Sequence, residues 1–340
     1  MGIDARKEDK VFIIAEAGVN HNGSLATALK LCAVAKDSGA DAVKFQTYRT
    51  ELVAAKHAKL AAYQESNTGL FQKTQFQMLK ELELPFESFI KIKKYCVKSG
   101  LEFLSTPDDF QSLDFLISIG MNKIKVGSAM IDNAPFLKRV AAKRKKVLLS
   151  TGMSTLKEVK AAYNLLRQNG APTVSLLHCT TSYPCRMNEV NLRVIPRLKD
   201  VFNTEVGYSD HTQGIEVALA AVSLGAGIIE KHFTLDKRMR GPDHSASLCP
   251  AELKSMILAI RNIEEALGSP VKRPTTSELK NRPHVRRLIV AARGINRGEI
   301  LNEENMQIKL AEGGLSASLW DKLIGKKAKR DFIRDETIKI

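Results

Sequence analysis

Short apolar runs rich in β-branched residues alternate along this chain with longer stretches whose apolar positions recur every three or four residues. The first pair sets the pattern. Residues 11–15 (VFIIA) have the unbroken apolar character of a strand covered on both faces, and residues 24–38 carry a helical stripe opened by Ser24 as N-cap and closed at Gly39. The same reading predicts strands at 41–47, 101–105, 123–126, 146–150, 173–179, 205–209 and 227–231, and helices at 86–99, 134–143, 156–169, 191–202, 214–224 and 250–267. About eight strand–helix units in roughly 260 residues is the rhythm of an α/β fold of the (β/α)₈ TIM barrel type. A doubly wound open sheet is the rival, but no GxGxxG follows the first strand, where a dinucleotide-binding sheet carries one. Residues 49–85 interrupt the rhythm, and a connection of that length is expected to be a functional rim or lid, or a partly helical packing insert.

After Gly268 the periodicity stops. Residues 269–284 (SPVKRPTTSELKNRPH) are proline-rich and charged and read as a linker; residues 285–340 read as a small module of short strands and turns. The expected division is therefore a barrel over 1–268, a linker over 269–284 and a second domain over 285–340. Some 55 residues are close to the lower limit for folding alone, so docking on a larger body is expected.

Composition narrows the functional classes. With 44% hydrophobic and 26% charged residues the chain is an ordinary globular protein, no apolar run approaches the roughly 18 residues of a membrane span, and the polar start of the chain is unlike a signal peptide; a cytoplasmic protein with no membrane partner is expected. The five cysteines show no CxxC spacing, which favours free thiols. The net charge of +15, of which +7 falls in residues 271–340, raises nucleic acid as a partner. No basic stripe with interleaved aromatics and no zinc-finger spacing supports it, so a small anionic substrate is the expected partner and nucleic acid is not.

Chemistry concentrates at one end of the predicted strands. Glu16 and Asn20 follow the first, Lys44 and Gln46 close the second, and Ser105 and Thr106 close the third; then come Lys125 with Ser128, Ser150 with Thr151, His178 with Thr180, Ser209 with His211, and Glu230 with His232. Any one of these is ordinary in a loop. Their succession at the C-terminal ends of barrel strands is where this fold builds active sites. Lys44 and Lys125 with the hydroxyls of Thr106, Ser128, Ser150 and Ser209 suit a phosphorylated anion. His211 and His232, on strands about 4.8 Å apart, can meet on one divalent ion, although spacing alone favours two hydrogen-bonded loop histidines. Phosphate binding beside a Lewis acid that polarises a carbonyl points to an aldol-like condensation.

Longer motifs then carry a resemblance. IAEAGVNHNGSLATAL (14–29), DAVKFQTY (41–48), FLSTP (103–107), IKVGS (124–128), LLSTGM (148–153), LLHCTTSYP (176–184), VGYSDHT (206–212), EKHFTLDK (230–237) and GPDHSASL (241–248) together resemble the sialic acid synthase (N-acetylneuraminate synthase) family, and the tail resembles that family's C-terminal antifreeze-like (SAF) domain. The resemblance implies an enzyme that condenses phosphoenolpyruvate with an N-acetylated hexosamine, N-acetylmannosamine or its 6-phosphate, releasing phosphate and a nine-carbon 2-keto acid. A legionaminic or pseudaminic acid synthase acting on a 2,4-diacetamido hexose is the alternative, and a non-catalytic carbohydrate-binding relative is a third. It further implies Mn²⁺ or Mg²⁺ on His211 and His232, and phosphoenolpyruvate on Lys44, Thr106, Lys125, Ser128, Ser150 and Ser209. Glu16, Gln46, Tyr183 and Asp243 would meet the sugar or the reacting centre, in a domain-swapped homodimer whose SAF modules cover the partner's barrel mouth. Two departures stand out. Ser128-Ala129-Met130 replaces the family's Ser-Gly-Glu or Ser-Gly-Asp, and Leu310 follows Lys309 where many members have arginine. Methionine cannot move a proton, so Asp132 or Glu16 is the expected substitute.

Overall fold

The structure is a computed structural model that describes residues 10–69 and 73–339, apart from the side chain of Tyr63; the polar stretch 1–9 lies outside the described residues. The chain divides into two compact units, 1–268 and 269–340.

In the first unit eight strands are parallel: β1 (Phe12–Gly18), β2 (Ala42–Thr47), β3 (Glu102–Pro107), β4 (Lys123–Val126), β5 (Lys146–Ser150), β6 (Val174–His178), β7 (Val206–Asp210) and β8 (Ile228–His232). Their hydrogen-bonded order is β3-β2-β1-β8-β7-β6-β5-β4, so the sheet curls until β3 and β4 lie side by side at a seam without ladder bonds among the described residues. This near-closed parallel barrel is the expected fold, and it excludes the open sheet, whose strand order would reverse at a switch point.

The two-residue period of each strand sorts its side chains. Ile13, Val43, Ile124, Val147, Leu149, Leu176, Val206 and Ile229 point outward and bury against the surrounding helices in the main core. Ile14, Ala42, Leu104, Leu148, Leu177 and Ile228 point inward and form a separate apolar plug inside the barrel. Two residues further along the same inward rows come Glu16, Lys44, Thr106, Ser150 and Glu230, all buried. The inward row thus changes from apolar to polar in one step, which floors the site with a dry plug. Gly207 lets β7 close on its neighbours: a Cβ there would lie 2.5 Å from the Ile228 carbonyl oxygen and 2.6 Å from Leu177 Cδ2.

The interrupting segment holds three short helices, Thr50–Val53, Ala62–Thr68 and Gln75–Leu82. Val19, Tyr48, Leu60, Met78 and Leu82 give it a small core of its own. A helix at Phe110–Ser118, capped by Asp109, completes a unit for which the sequence reading assigned no helix.

The second unit contains the antiparallel pair β9 (Arg287–Ala291) and β10 (Met306–Leu310) over a core that includes Ile289, Ile295, Leu301, Leu323 and Phe332. The segment expected to be an aperiodic linker is helical over Thr276–Val285, with a Thr275–Glu278 capping box at its start. It escaped the periodicity reading because TSELKNRPHV offers only Leu279 and Val285 as apolar positions, while the cap that nucleates it is purely local.

Candidate active site

The polar tops of the inward rows meet in a cavity of about 510 Å³ at the C-terminal mouth of the barrel. Its walls include Glu16, Lys44, Gln46, Thr106, Lys125, Ser128, Ser150, Tyr183, Ser209, His211, Glu230 and His232, so the structure brings together nearly all the residues singled out from sequence. Leu52, Val53, Gln64, Gln75 and Leu79 line it too. The expected rim role of residues 49–85 therefore holds, and so does the expectation of a partly helical insert.

Two buried lysines and two buried carboxylates form the floor. Lys44 Nζ lies 2.9 Å from Glu16 Oε1 and 3.7 Å from Glu230 Oε2, and donates to Thr106 Oγ1 at 3.0 Å. Lys125 Nζ donates to Glu230 Oε1 at 3.0 Å, and Ser209 Oγ donates to the same oxygen at 2.9 Å. Burial alone would raise the Glu230 carboxyl, but Lys125, Lys44 and the Lys125 and Ser209 hydrogen bonds together hold it far below the usual carboxylate range. For Glu16 the balance tips the other way: burial first, with repulsion from Glu230 adding, raises it against the pull of Lys44. Glu230 stays ionised, and Glu16 is the carboxyl that accepts a proton. Glu230 stands in the strand-end series without a role, because its partners Lys44 and Lys125 lie more than a hundred residues away in the chain.

The two histidines stand above this floor, with ring centroids 5.6 Å apart and the Tyr183 ring 4.2 Å from His211. His211 Nδ1 is 2.7 Å from the Thr180 carbonyl oxygen, to which it must donate, and that leaves the lone pair of Nε2 facing Ser209 Oγ at 3.4 Å. Burial lowers the His211 pKa to about 4 and the His232 pKa well below its usual value, so both rings are neutral. His232 Nδ1 is buried without a hydrogen-bond partner and sits 3.9 Å from Asp243 Oδ2. Gly18, at φ +51°, packs where Glu16, His232 and Asp243 converge: a Cβ there would be 3.4–3.5 Å from all three. Glu16 Oε2 and Glu230 Oε2 are also buried and unpartnered.

Some candidates lie elsewhere. Asp132 is exposed and absent from the cavity wall, because the 3-10 turn Ser128–Met130 and buried Ile131 carry it outward; Ala129, Met130 and Asn133 line that corner instead. It is not the missing carboxylate. His178 faces the helix layer and bonds the Val190 carbonyl oxygen at 2.7 Å. His21 Nδ1 accepts from Gly23 N, and His244 links Thr234 to Asn22; both brace loops. Asp108, which sequence reading passed over, lines the cavity. Among the described residues no cluster of three or more His, Cys, Asp or Glu side chains could hold a metal ion; His211 and His232 are the pair that stands together at the mouth.

The model for the NeuB family matches residues 31–272, and that for the SAF domain matches residues 286–340. The chain belongs to the NeuB family. An N,N'-diacetyllegionaminic acid synthase of Campylobacter jejuni is 47% identical over 332 residues, covering 97% of this chain and 99% of that one. The N-acetylneuraminate-9-phosphate synthase of Homo sapiens is 34% identical over 329 residues, covering 96% and 91%. The crystal structure of an N-acetylneuraminic acid (sialic acid) synthetase from Leptospira borgpetersenii aligns with a TM-score of 0.71 at 34% identity, covering 80% of this chain and 90% of that one. As a NeuB member, the chain is an enzyme, a carbon–carbon bond-forming transferase of the sialic acid synthase type.

Proposed function

We propose that the chain is an N,N'-diacetyllegionaminic acid synthase, joining phosphoenolpyruvate to a 2,4-diacetamido hexose with release of phosphate. One observation carries the choice of acceptor: identity is 47% to the legionaminic acid enzyme of Campylobacter jejuni against 34% to the human enzyme for N-acetylneuraminate 9-phosphate, at nearly equal coverage. N-acetylmannosamine, the first expectation from sequence, is accordingly displaced by the alternative.

In this reading Lys44 and Lys125 hold the anionic groups of phosphoenolpyruvate at the floor of the cavity, with Thr106, Ser128, Ser150 and Ser209 directing hydrogen bonds to it. Glu230 holds both lysines in place. Gln46, Tyr183 and Asp243 face the sugar, and Glu16 holds or yields a proton beside it. His211 and His232 would hold Mn²⁺ or Mg²⁺. Their neutral rings, the free lone pair on His211 and the unpartnered Nδ1 of His232 suit a cation. Such an ion, when bound, supplies a Lewis acid for the sugar carbonyl. The homodimer, with each SAF module over the partner's barrel, belongs to the same proposal.

Phosphate release from phosphoenolpyruvate with Mn²⁺ and a panel of acetamido-hexoses tests it. Release with the 2,4-diacetamido hexose of the legionaminic series, and little with N-acetylmannosamine or its 6-phosphate, is expected. Preference for N-acetylmannosamine would return the assignment to a neuraminate synthase.

A further inference from the structure

Three carboxylates line the cavity, and two of them are tied to a cation. Glu230 is bound to Lys125 and Ser209, and Glu16 is paired with Lys44. Asp108 also lines the cavity, yet its carboxylate accepts no hydrogen bond and forms no ion pair with a described residue. The next residue shows what a structural aspartate does at this point of the chain. Asp109 accepts from Ser112 N at 2.8 Å, from Ser112 Oγ at 2.7 Å and from Arg49 N at 2.9 Å, and so caps the Phe110–Ser118 helix and anchors the rim. Of two successive aspartates, one is spent on the fold and the other is left facing the site.

The position of Asp108 is pointed. It comes directly after β3, where its amide still bonds the Thr47 carbonyl oxygen of β2. Met130, which occupies the place of the family's usual acidic residue, follows β4 in the 3-10 turn Ser128–Met130. β3 and β4 are the two strands at the barrel seam, so Asp108 and Met130 enter the same cavity from adjacent strand ends. We propose that Asp108 supplies the carboxylate that Met130 lacks, taking a proton from the water that attacks C2 of phosphoenolpyruvate and returning it to the departing phosphate.

The atoms balance. Once C3 has bonded to the aldehyde carbon, C2 is electron-poor; water adds there, its oxygen bonding to C2 as one proton passes to Asp108. The C2–O bond to phosphate then breaks with its electron pair on the phosphate oxygen, which takes the proton from Asp108. The proton left on the C2 hydroxyl neutralises the alkoxide at the former aldehyde carbon, leaving a ketone at C2. A carboxyl suited to both halves must be easily protonated and deprotonated near neutrality. Burial raises Asp108 to about 7, with Asp109 adding and with Lys44 from β2 and Lys125 from β4 opposing. The Tyr48 hydroxyl, beyond β2, is the remaining titratable group that feels it. Met130 and Asn133 on the β4 side carry no charge.

This assignment rests on the synthase reading, and the experiment separates the two. Steady-state phosphate release and calorimetric phosphoenolpyruvate binding are measured for the wild type, Asp108→Asn and the double variant Asp108→Asn/Met130→Glu. Asp108→Asn should lose about 100-fold or more in kcat, the usual contribution of an acid–base group, while still binding phosphoenolpyruvate. The double variant should recover a large part of that loss. The acid limb of the wild-type pH profile should vanish in Asp108→Asn. If the wild type prefers another acetamido-hexose but Asp108→Asn shows the same loss, the inference stands and the choice of acceptor falls. Near-normal kcat in Asp108→Asn, or a loss that tracks phosphoenolpyruvate binding and is not restored by Met130→Glu, would overturn it. A wild type that releases no phosphate with any acceptor would overturn both.

Discussion

The barrel contains two buried lysine–carboxylate clusters one residue apart in sequence, and they are built to opposite rules. On the outer face of the strands, Lys231 Nζ donates to Asp210 Oδ2 and to the Thr212 carbonyl oxygen, each at 2.7 Å, while Asp210 Oδ1 accepts from Thr212 N at 2.9 Å and Thr212 Oγ1 at 2.7 Å. Both carboxylate oxygens are satisfied. On the inner face, the cluster of Lys44, Lys125, Glu16 and Glu230, with His232 above it, leaves Glu16 Oε2, Glu230 Oε2 and His232 Nδ1 buried without hydrogen-bond partners. Each unsatisfied group costs about 1–3 kcal/mol. A chain that satisfies Lys231 and both oxygens of Asp210, yet leaves three atoms open on the inner face, is keeping the inner set for something that arrives later. The outer pair holds the fold, and the open inner set faces the cavity.

The largest expected effect attacks the closed cluster. Lys231→Met should strand the Asp210 charge and cost about 3–5 kcal/mol of stability, the usual penalty for removing one partner of a buried pair. Denaturant unfolding measures it, and the folded protein should keep its turnover. A loss of turnover without a loss of stability would blur the distinction between the two clusters. A smaller effect sharpens it from the other side. Asp108 in the folded chain titrates near 7, above its ordinary value of 3.8, so the folded state binds the proton more tightly than the unfolded chain. Its favourable contribution is complete below about pH 4 and is lost as pH rises through 7. Asp108→Asn should therefore melt close to wild type at pH 4 and above it at pH 8. Equal melting temperatures at pH 8 would mean that Asp108 is not held in an unfavourable setting.

How much of this was legible depended on what each signal required. The barrel was readable because strand and helix periods are local, and His211, His232, Lys44 and Lys125 were readable because they end successive inward rows within long motifs. Asp108 was not: it follows Pro107 in an ordinary loop, beside an aspartate that is a plain helix cap, and only the approach of β3 to β4 gives it a neighbour across the seam. Asp132 misled for the converse reason, since two residues of chain separation from Met130 amount to a change of side once a 3-10 turn intervenes. Glu230 and Lys231 are adjacent charged residues in sequence, yet the alternation of a strand sends one to the site and the other to the helix layer.

The most direct test of the incomplete inner cluster is a crystal grown with Mn²⁺ and phosphoenolpyruvate, read by anomalous scattering from manganese. The account predicts a single strong peak between His211 and His232, with the phosphate density lying against Lys44 and Lys125. Manganese bound elsewhere, or phosphoenolpyruvate bound away from those lysines, would contradict it.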